Sequence, residues 1–293
     1  MFDSFAHLLL IVEHGTFTEA ARHAHLSQPA LTASIRRLEE AFGAQLLHRG
    51  RRGASLTAAG EALLPRARAA LAAVAEGRRA VDEVLELRVG EVRLGAGATA
   101  CTYLLPAEIA RFRKTHPGVR FTLRETTTDE AREGVLQGDL DLVVTSIGGS
   151  GPAPSTHLLT DEPWRMDELI LVAAPDLELE GARYLTFRPG STTRDLFTAL
   201  FPEADIVMEL HSIAAVKGHV RAGLGIALVS RDAVRDDLRR RKMVRVSDAR
   251  TPVRRELRLV HRGLERLSPA TAALREQLLE RGPGSRPSRR RKG

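Results

Sequence analysis

Cysteine is nearly missing from this chain: Cys101 is the only one in 293 residues, which excludes a fold stapled by internal disulfides. Aromatic residues make up only 4%, so the cores have to be built from leucine, alanine and valine. Long apolar runs are absent too. The longest uncharged stretch, Leu142 to Thr160, is broken by glycine, proline and serine and does not read as a membrane span. Met1-Phe2-Asp3-Ser4 has no cationic region of the kind a signal peptide carries, and a cytoplasmic location is expected. Set against these absences are 43% hydrophobic and 28% charged residues, ordinary values for a globular protein of about two domains.

The net charge of +7 is unevenly placed. Residues 281–293 hold six cations and no acid, whereas the rest of the chain sets 38 basic side chains against 37 acidic ones. Total charge therefore says little about nucleic-acid binding, and the argument has to rest on where the charges sit.

Residues 2 to about 88 read as helical with one interruption. Phe5, Leu8, Leu9 and Val12 recur at helical spacing and stop at Gly15. Thr16-Phe17-Thr18-Glu19 fits a capping box. Ser27 caps a third helix, with Pro29 in its first turn, Leu31, Ile35, Leu38 and Phe42 as its buried stripe, and Gly43 as its stop. Around Arg49-Gly50-Arg51-Arg52-Gly53 the pattern breaks into a small basic hairpin. Thr57 then opens a helix of about 30 residues, along which Leu63, Ala67, Ala70, Val74, Val81 and Val84 form an apolar seam that calls for a partner, most simply a second copy.

From Val89 the chain alternates strands and helices, which predicts an α/β fold with a mainly parallel sheet. Strands are expected near Val92–Gly95, Val119–Leu123, Leu140–Val144, Leu169–Ala173, Tyr184–Phe187 and Gly225–Val229, with a last helix over Thr271–Glu280. Residues 148–155 are rich in Gly, Pro and Ser, and 281–293 read as a disordered tail.

The second and third helices, joined by a tight turn at His25-Leu26, are spaced as a helix-turn-helix whose second member enters the DNA major groove. With its stripe buried, Gln28, Pro29, Thr32, Ala33 and Arg36 face outward. Gln28 and Thr32 suit base edges; Arg36, Arg49, Arg51 and Arg52 suit phosphates, with Thr16, Thr18 and Ser27 at the helix starts completing the DNA-contacting set. A helical hairpin packed for stability alone has the same spacing.

In order, F-T-x-A-A, S-Q-P-A-L, I-x-x-L-E, G-x-x-L, R and L-T-x-A-G run through residues 17–60, and here the chain resembles the LysR-type transcriptional regulators. Leu94 to Pro106, His116-Pro117, Gly138 to Val144 and Ala222 to Val229 resemble the same family more weakly. Ala33 and Ser34 stand where many relatives carry larger polar residues, and Leu47-His48 replaces Leu-Phe. The resemblance implies a winged helix-turn-helix over 1–58, a dimerising linker helix over 59–88 and an effector-binding domain over 89–280 resembling type 2 periplasmic binding proteins. Its subdomain I would take about 89–163 and 266–280, its subdomain II about 164–265. Implied partners are double-stranded operator DNA, a second copy or a tetramer, RNA polymerase and a small effector; no cofactor, metal or enzymatic activity is implied.

Hydroxyl residues at helix starts favour an anionic effector. Thr99, Cys101 and Thr102 open one helix, Thr128 another, Ser191, Thr192 and Thr193 a third and Ser212 a fourth, while Ser146 follows a strand. By resemblance, Thr99, Thr128 and Ser146 fall at effector contacts. Each is equally suited to be a helix cap. Cys101 could sense oxidants, but without a second cysteine it reads better as a small filler, and the histidines lack companions at metal-ligand spacing. Two rivals stand beside a LysR-type regulator: an effector-independent architectural DNA binder, and an enzyme using Cys101 as nucleophile and His116 as base. The second leaves the N-terminal module unexplained.

Overall fold

The computed structural model describes residues 1–50, 53–84, 90–147 and 158–280. Arg51 and Arg52, the end of the linker helix at 85–88, the stretch 148–155 and the basic tail lie outside them, as do the side chains of Arg49 and Val84. The chain forms two compact units that divide at Leu87/Arg88, except that Leu136–Asp139 group with the first.

The first unit begins with α1 (Phe2–His14), whose buried residues are Ser4, Phe5, Leu8 and Ile11. Leu9 and Val12, expected in that stripe, are only half-buried. Gly15 ends the helix at φ 70°, a left-handed conformation in which glycine carries no Cβ penalty. Thr16 caps α2 (Phe17–His23) by accepting from the Glu19 amide at 3.2 Å. The reciprocal half of the box is not made, because Glu19 pairs with Arg22 at 2.9 Å. Ser27 caps α3 (Gln28–Phe42), accepting from the Ala30 amide. Leu31, Ile35 and Leu38 are buried as expected, but Phe42, in the last turn before Gly43, is 46% exposed.

The hairpin β1 (Leu47–Gly50) and β2 (Gly53–Leu56) is antiparallel, with Leu47 opposite Leu56. Thr57 accepts from the Gly60 amide at 3.1 Å to open α4 (Ala58–Val84). Gly60 has to be glycine, since a Cβ there would stand 2.1 Å from the Leu46 carbonyl oxygen. Leu63, Ala67 and Ala70 do not wait for a second copy: they pack, with Leu71, onto this unit's own core. Further along, Val74 is half-buried and Val81 is 58% exposed.

The second unit runs through β3 (Glu91–Ala96), a π-helical turn (Ala100–Leu104), α5 (Leu105–Thr115), β4 (Arg120–Glu125), α6 (Thr128–Gln137), β5 (Leu142–Ile147) and β6 (Thr160–Ala173). It continues with β7 (Tyr184–Phe187), α7 (Thr192–Leu200), β8 (Ile206–Leu210), α8 (Ile213–Arg221), β9 (Ile226–Ser230) and α9 (Arg231–Arg239). Last come β10 (Val244–Arg245), β11 (Val253–His261) and α10 (Pro269–Leu279). The strands form one sheet in the order β4-β3-β5-β11-β6-β9-β7-β8, with β10 beside β6.

Here the expectation of a mainly parallel sheet is corrected. The flanks are parallel, β3 with β4 and β5, and β7 with β8 and β9, but β11 is antiparallel to both β5 and β6, and β6 to β9. The centre departs because β6 and β11 carry the chain between two lobes in opposite directions. The lobes therefore share these strands, and Trp164, Leu257 and Leu259, expected in the second lobe, belong to the core of the first. That core also holds Leu94, Leu142, Phe112 and Leu274; Trp164 donates its indole N–H to the Leu278 carbonyl at 3.0 Å, pinning α10 to the first lobe.

In the second lobe successive β6 residues enter opposite layers. Ile170 and Val172 pack with Leu185 and Val216, while Leu169 and Leu171 pack with Phe197 and Leu228. The period of two with both faces covered explains the continuous apolar run Leu169–Ala173. Among the described residues, no helix is long and apolar enough to cross a membrane.

Candidate nucleic-acid interface and ligand cleft

On α3 the positions 28, 29, 32, 33 and 36 fall on one side. Gln28, Pro29, Ala33 and Arg36 are exposed, Thr32 is half-buried, and Arg37, not anticipated, is exposed next to Arg36. Thr18 is exposed on α2, while the hydroxyls of Thr16 and Ser27 are occupied as caps. Ser34 points the other way. It is buried and its hydroxyl lies 2.9 Å from the Ser4 hydroxyl and 2.7 Å from His7 Nδ1, so its small size serves the core of the unit. Burial lowers the His7 pKa, against Asp3, which raises it. One helix thus offers an amide side chain, a hydroxyl and two cations without using them internally, the mixture that reads base edges and meets phosphates.

In the second unit a cleft, partly open to solvent, lies between the two lobes at strand ends and helix starts. Of the residues expected to bind effector, Thr99, Thr128, Ser146, Ser191, Thr192 and Thr193 line it. Cys101, Thr102 and Ser212 do not. Cys101 packs against the first lobe's core and its thiol donates to the Ala96 carbonyl at 3.6 Å. Thr102 is turned outward on the π-helical turn, and Ser212 caps α8 through the Ala215 amide at 3.1 Å.

Capping does not account for the residues that remain. Thr99 and Ser191 stand at helix starts without making a side-chain cap bond. The Thr99 and Thr193 hydroxyls instead accept from Arg255, at 3.3 and 3.0 Å. Thr128 and Thr192 face each other across the lobes with 3.3 Å between their hydroxyl oxygens.

Sequence reasoning missed Thr126, Thr127, Thr145, Arg188, His211 and Arg255, all of which line the cleft, and rightly placed Thr192 there. The first three adjoin Thr128 and Ser146 and were legible as their neighbours. Arg255 lies on a strand that sequence reasoning did not find, although the inward set Arg255, Leu257 and Leu259 at period two was a signal for it. Arg188 stands at the rim, 3.8 Å from Glu130, whose carboxyl is held below its ordinary value chiefly by the Thr127 amide. Burial, helped by Glu125, pushes the Cys101 thiol up to about 11, which leaves almost no thiolate at neutral pH. His116, the base of the enzyme alternative, stacks on Phe112 and bonds Thr115.

The family model described as the bacterial regulatory helix-turn-helix protein, lysR family, matches residues 2–61, and that described as the LysR substrate binding domain matches residues 86–283. A probable RuBisCO transcriptional regulator from Synechocystis sp. is 31% identical, with 94% of this chain and 85% of that protein covered. The RuBisCO operon transcriptional regulator of Allochromatium vinosum is 30% identical over 92% of both. Among solved structures, ArgP from Mycobacterium tuberculosis shares the fold with TM-score 0.66 and 20% identity over 94% of each chain. CbnR, a LysR family transcriptional regulator, does so with TM-score 0.63 and 22% identity, over 95% of this chain and 98% of that one.

Proposed function

The chain belongs to the LysR family of DNA-binding transcriptional regulators, and from that premise we propose that a small anionic metabolite in the cleft of its second unit modulates operator binding. It is a regulator and not an enzyme. In this reading α3 lies in the major groove, Gln28 and Thr32 read base edges, and Arg36 with Arg49, Arg51 and Arg52 holds phosphates. Two copies join through the exposed part of α4 around Val81, giving a dimer or tetramer whose paired heads meet paired half-sites. A Val81→Glu variant is expected to release monomers in sedimentation. RNA polymerase is the further partner of the DNA-bound assembly.

The observation that carries the reading is the lining of the cleft: hydroxyls from both lobes, with Arg188 at the rim and Arg255 at the floor. Coupling follows if the effector prefers one arrangement of the assembly, and it is only as large as that preference. The test pairs two measurements on the full chain. Mobility shifts use DNA upstream of its own gene and of RuBisCO genes, the target named for its relatives. Thermal shifts screen metabolites for one that both stabilises the protein and changes operator affinity. Specific DNA binding with no stabilising metabolite favours an effector-independent architectural binder.

A further inference from the structure

The floor of the cleft contains a buried ion pair. Arg255 on β11 is 7% exposed and Asp167 on β6 is 3% exposed. The guanidinium donates from Nε and Nη2 to one carboxylate oxygen of Asp167, at 2.8 and 2.7 Å, and the other oxygen accepts from the Ser230 hydroxyl at 2.6 Å. From the same guanidinium, Nη1 donates to Thr193 Oγ1 and Nη2 to Thr99 Oγ1.

An arginine has hydrogens to give and no lone pair to offer. Each threonine oxygen is therefore the acceptor, and each hydroxyl hydrogen has to point away from Arg255. Among the described residues no acceptor takes either hydrogen, and both residues line the cleft, one from each lobe. Thr126 lines the same cleft, but its hydroxyl oxygen is itself buried and faces Gly95, so it is not part of this floor.

We infer that Arg255 is a positioning residue that sets the polarity of the Thr99 and Thr193 hydroxyls, so that the floor offers hydrogens from both lobes to an oxyanion, a carboxylate or a phosphate. The inference rests on the reading of the cleft as an effector site. Asp167 offsets much of the charge of Arg255, so selectivity comes from where hydrogens point more than from net attraction. An ammonium group meets two hydroxyl hydrogens at this place and is left with the second lone pair of each threonine oxygen, while the carboxylate in the cleft lining belongs to Glu125. An oxyanion held by Thr99 and Thr193 also ties the lobes together beside β6 and β11, the strands that join them.

The test uses the full chain and four probes at matched ionic strength: inorganic phosphate, malonate, glycerol and ethylammonium. Phosphate and malonate are expected to stabilise the protein in thermal shift, the other two are not. Calorimetry should show Thr99→Val weakening the oxyanions about tenfold or more, the loss of one hydrogen bond to a charged group. Arg255→Lys keeps the charge beside Asp167 but lacks the planar fork that reaches both threonines. It should weaken oxyanions to a similar degree and make the added Thr99→Val change nearly silent; additive losses would mean that Arg255 only packs, and would overturn the inference. Thr99→Ser guards against a folding defect. Keeping the hydroxyl, it should bind oxyanions nearly as tightly as the unaltered protein, and a loss as large as that of Thr99→Val overturns the inference. Stabilisation by glycerol or ethylammonium but neither oxyanion also overturns it while leaving the effector reading in place; stabilisation by none of the four overturns both.

Discussion

Gln28, Pro29, Ala33 and Arg36 stand exposed on one side of a single helix, within nine consecutive residues. The floor of the cleft draws Thr99, Asp167, Thr193 and Arg255 from four segments, and the hydrogen bond between Thr99 and Arg255 spans 156 residues. The first site needs only that α3 be helical and have one face buried. The second exists only when both lobes and both joining strands are in place. The helix face offers unused polar groups to a large partner, whereas the cleft floor has already committed its strongest charge to Asp167 and presents what that commitment leaves over.

The largest effects that set the two units against each other come from their cores. Leu38→Ala in the first unit and Leu185→Ala in the second each remove a side chain with about 1% exposure or less. Each should cost about 2–5 kcal/mol in its own unit. Circular dichroism melts with binding assays should show operator affinity failing first in Leu38→Ala and ligand response failing first in Leu185→Ala. Identical losses of both activities in both variants would mean that the units do not hold their sites separately.

A smaller effect separates two roles on α3. Gln28→Ala should lose about 1–3 kcal/mol of discrimination between operator and random DNA. Arg36→Ala should weaken both and reduce the salt slope by about 1. Competition binding at several salt concentrations reads the difference, and equal loss of specificity in the two variants would refute these roles.

Smaller still is a pH effect in the second unit. Glu162 accepts from Arg275 at 2.5 Å and lies 3.0 Å from His261 Nε2, and Arg275 above all holds its carboxyl below the ordinary value. A depressed folded-state value stabilises the fold at pH above the unfolded value near 4.5, and the contribution is lost as pH falls through the folded value. Arg275→Met should therefore be less stable than the unaltered protein by about 1 kcal/mol at pH 7, the size left after screening. In urea unfolding the gap should close between about pH 5 and pH 3; a gap independent of pH would assign Arg275 to packing.

The smallest effect concerns Cys101. With its thiol raised to about 11, maleimide labelling at pH 7.5 should be roughly a hundredfold slower than in the unfolded chain. Cys101→Ser should leave operator binding and ligand response unchanged, and rapid native labelling would contradict the raised value.

Residue patterns alone carried the reading of the first unit a long way. Capping residues and glycine stops act within four or five positions, so Thr16, Ser27, Thr57, Gly15 and Gly43 could be placed before any packing was known. What failed there failed at the edges. Phe42 lies at the helix end, where a stripe residue can leave the core, and Leu63 with Ala67 turned inward because the nearest apolar partner was the unit's own core.

In the second unit Thr128 and the hydroxyl run 191–193 were visible because each opens a helix, and that is a local event. The sequence by itself determined the helices, their caps, the exposed face of α3 and the clusters of threonine and serine. Only the tertiary structure decided that β6 and β11 run antiparallel through the middle of the sheet, that Cys101 turns away from the cleft, and that Asp167 and Arg255 meet across 88 residues beneath Thr99 and Thr193. The physical reason is the range of the forces. Helical periodicity and capping are satisfied between near neighbours in the chain, whereas a buried charge finds its partner only where the whole sheet closes over it.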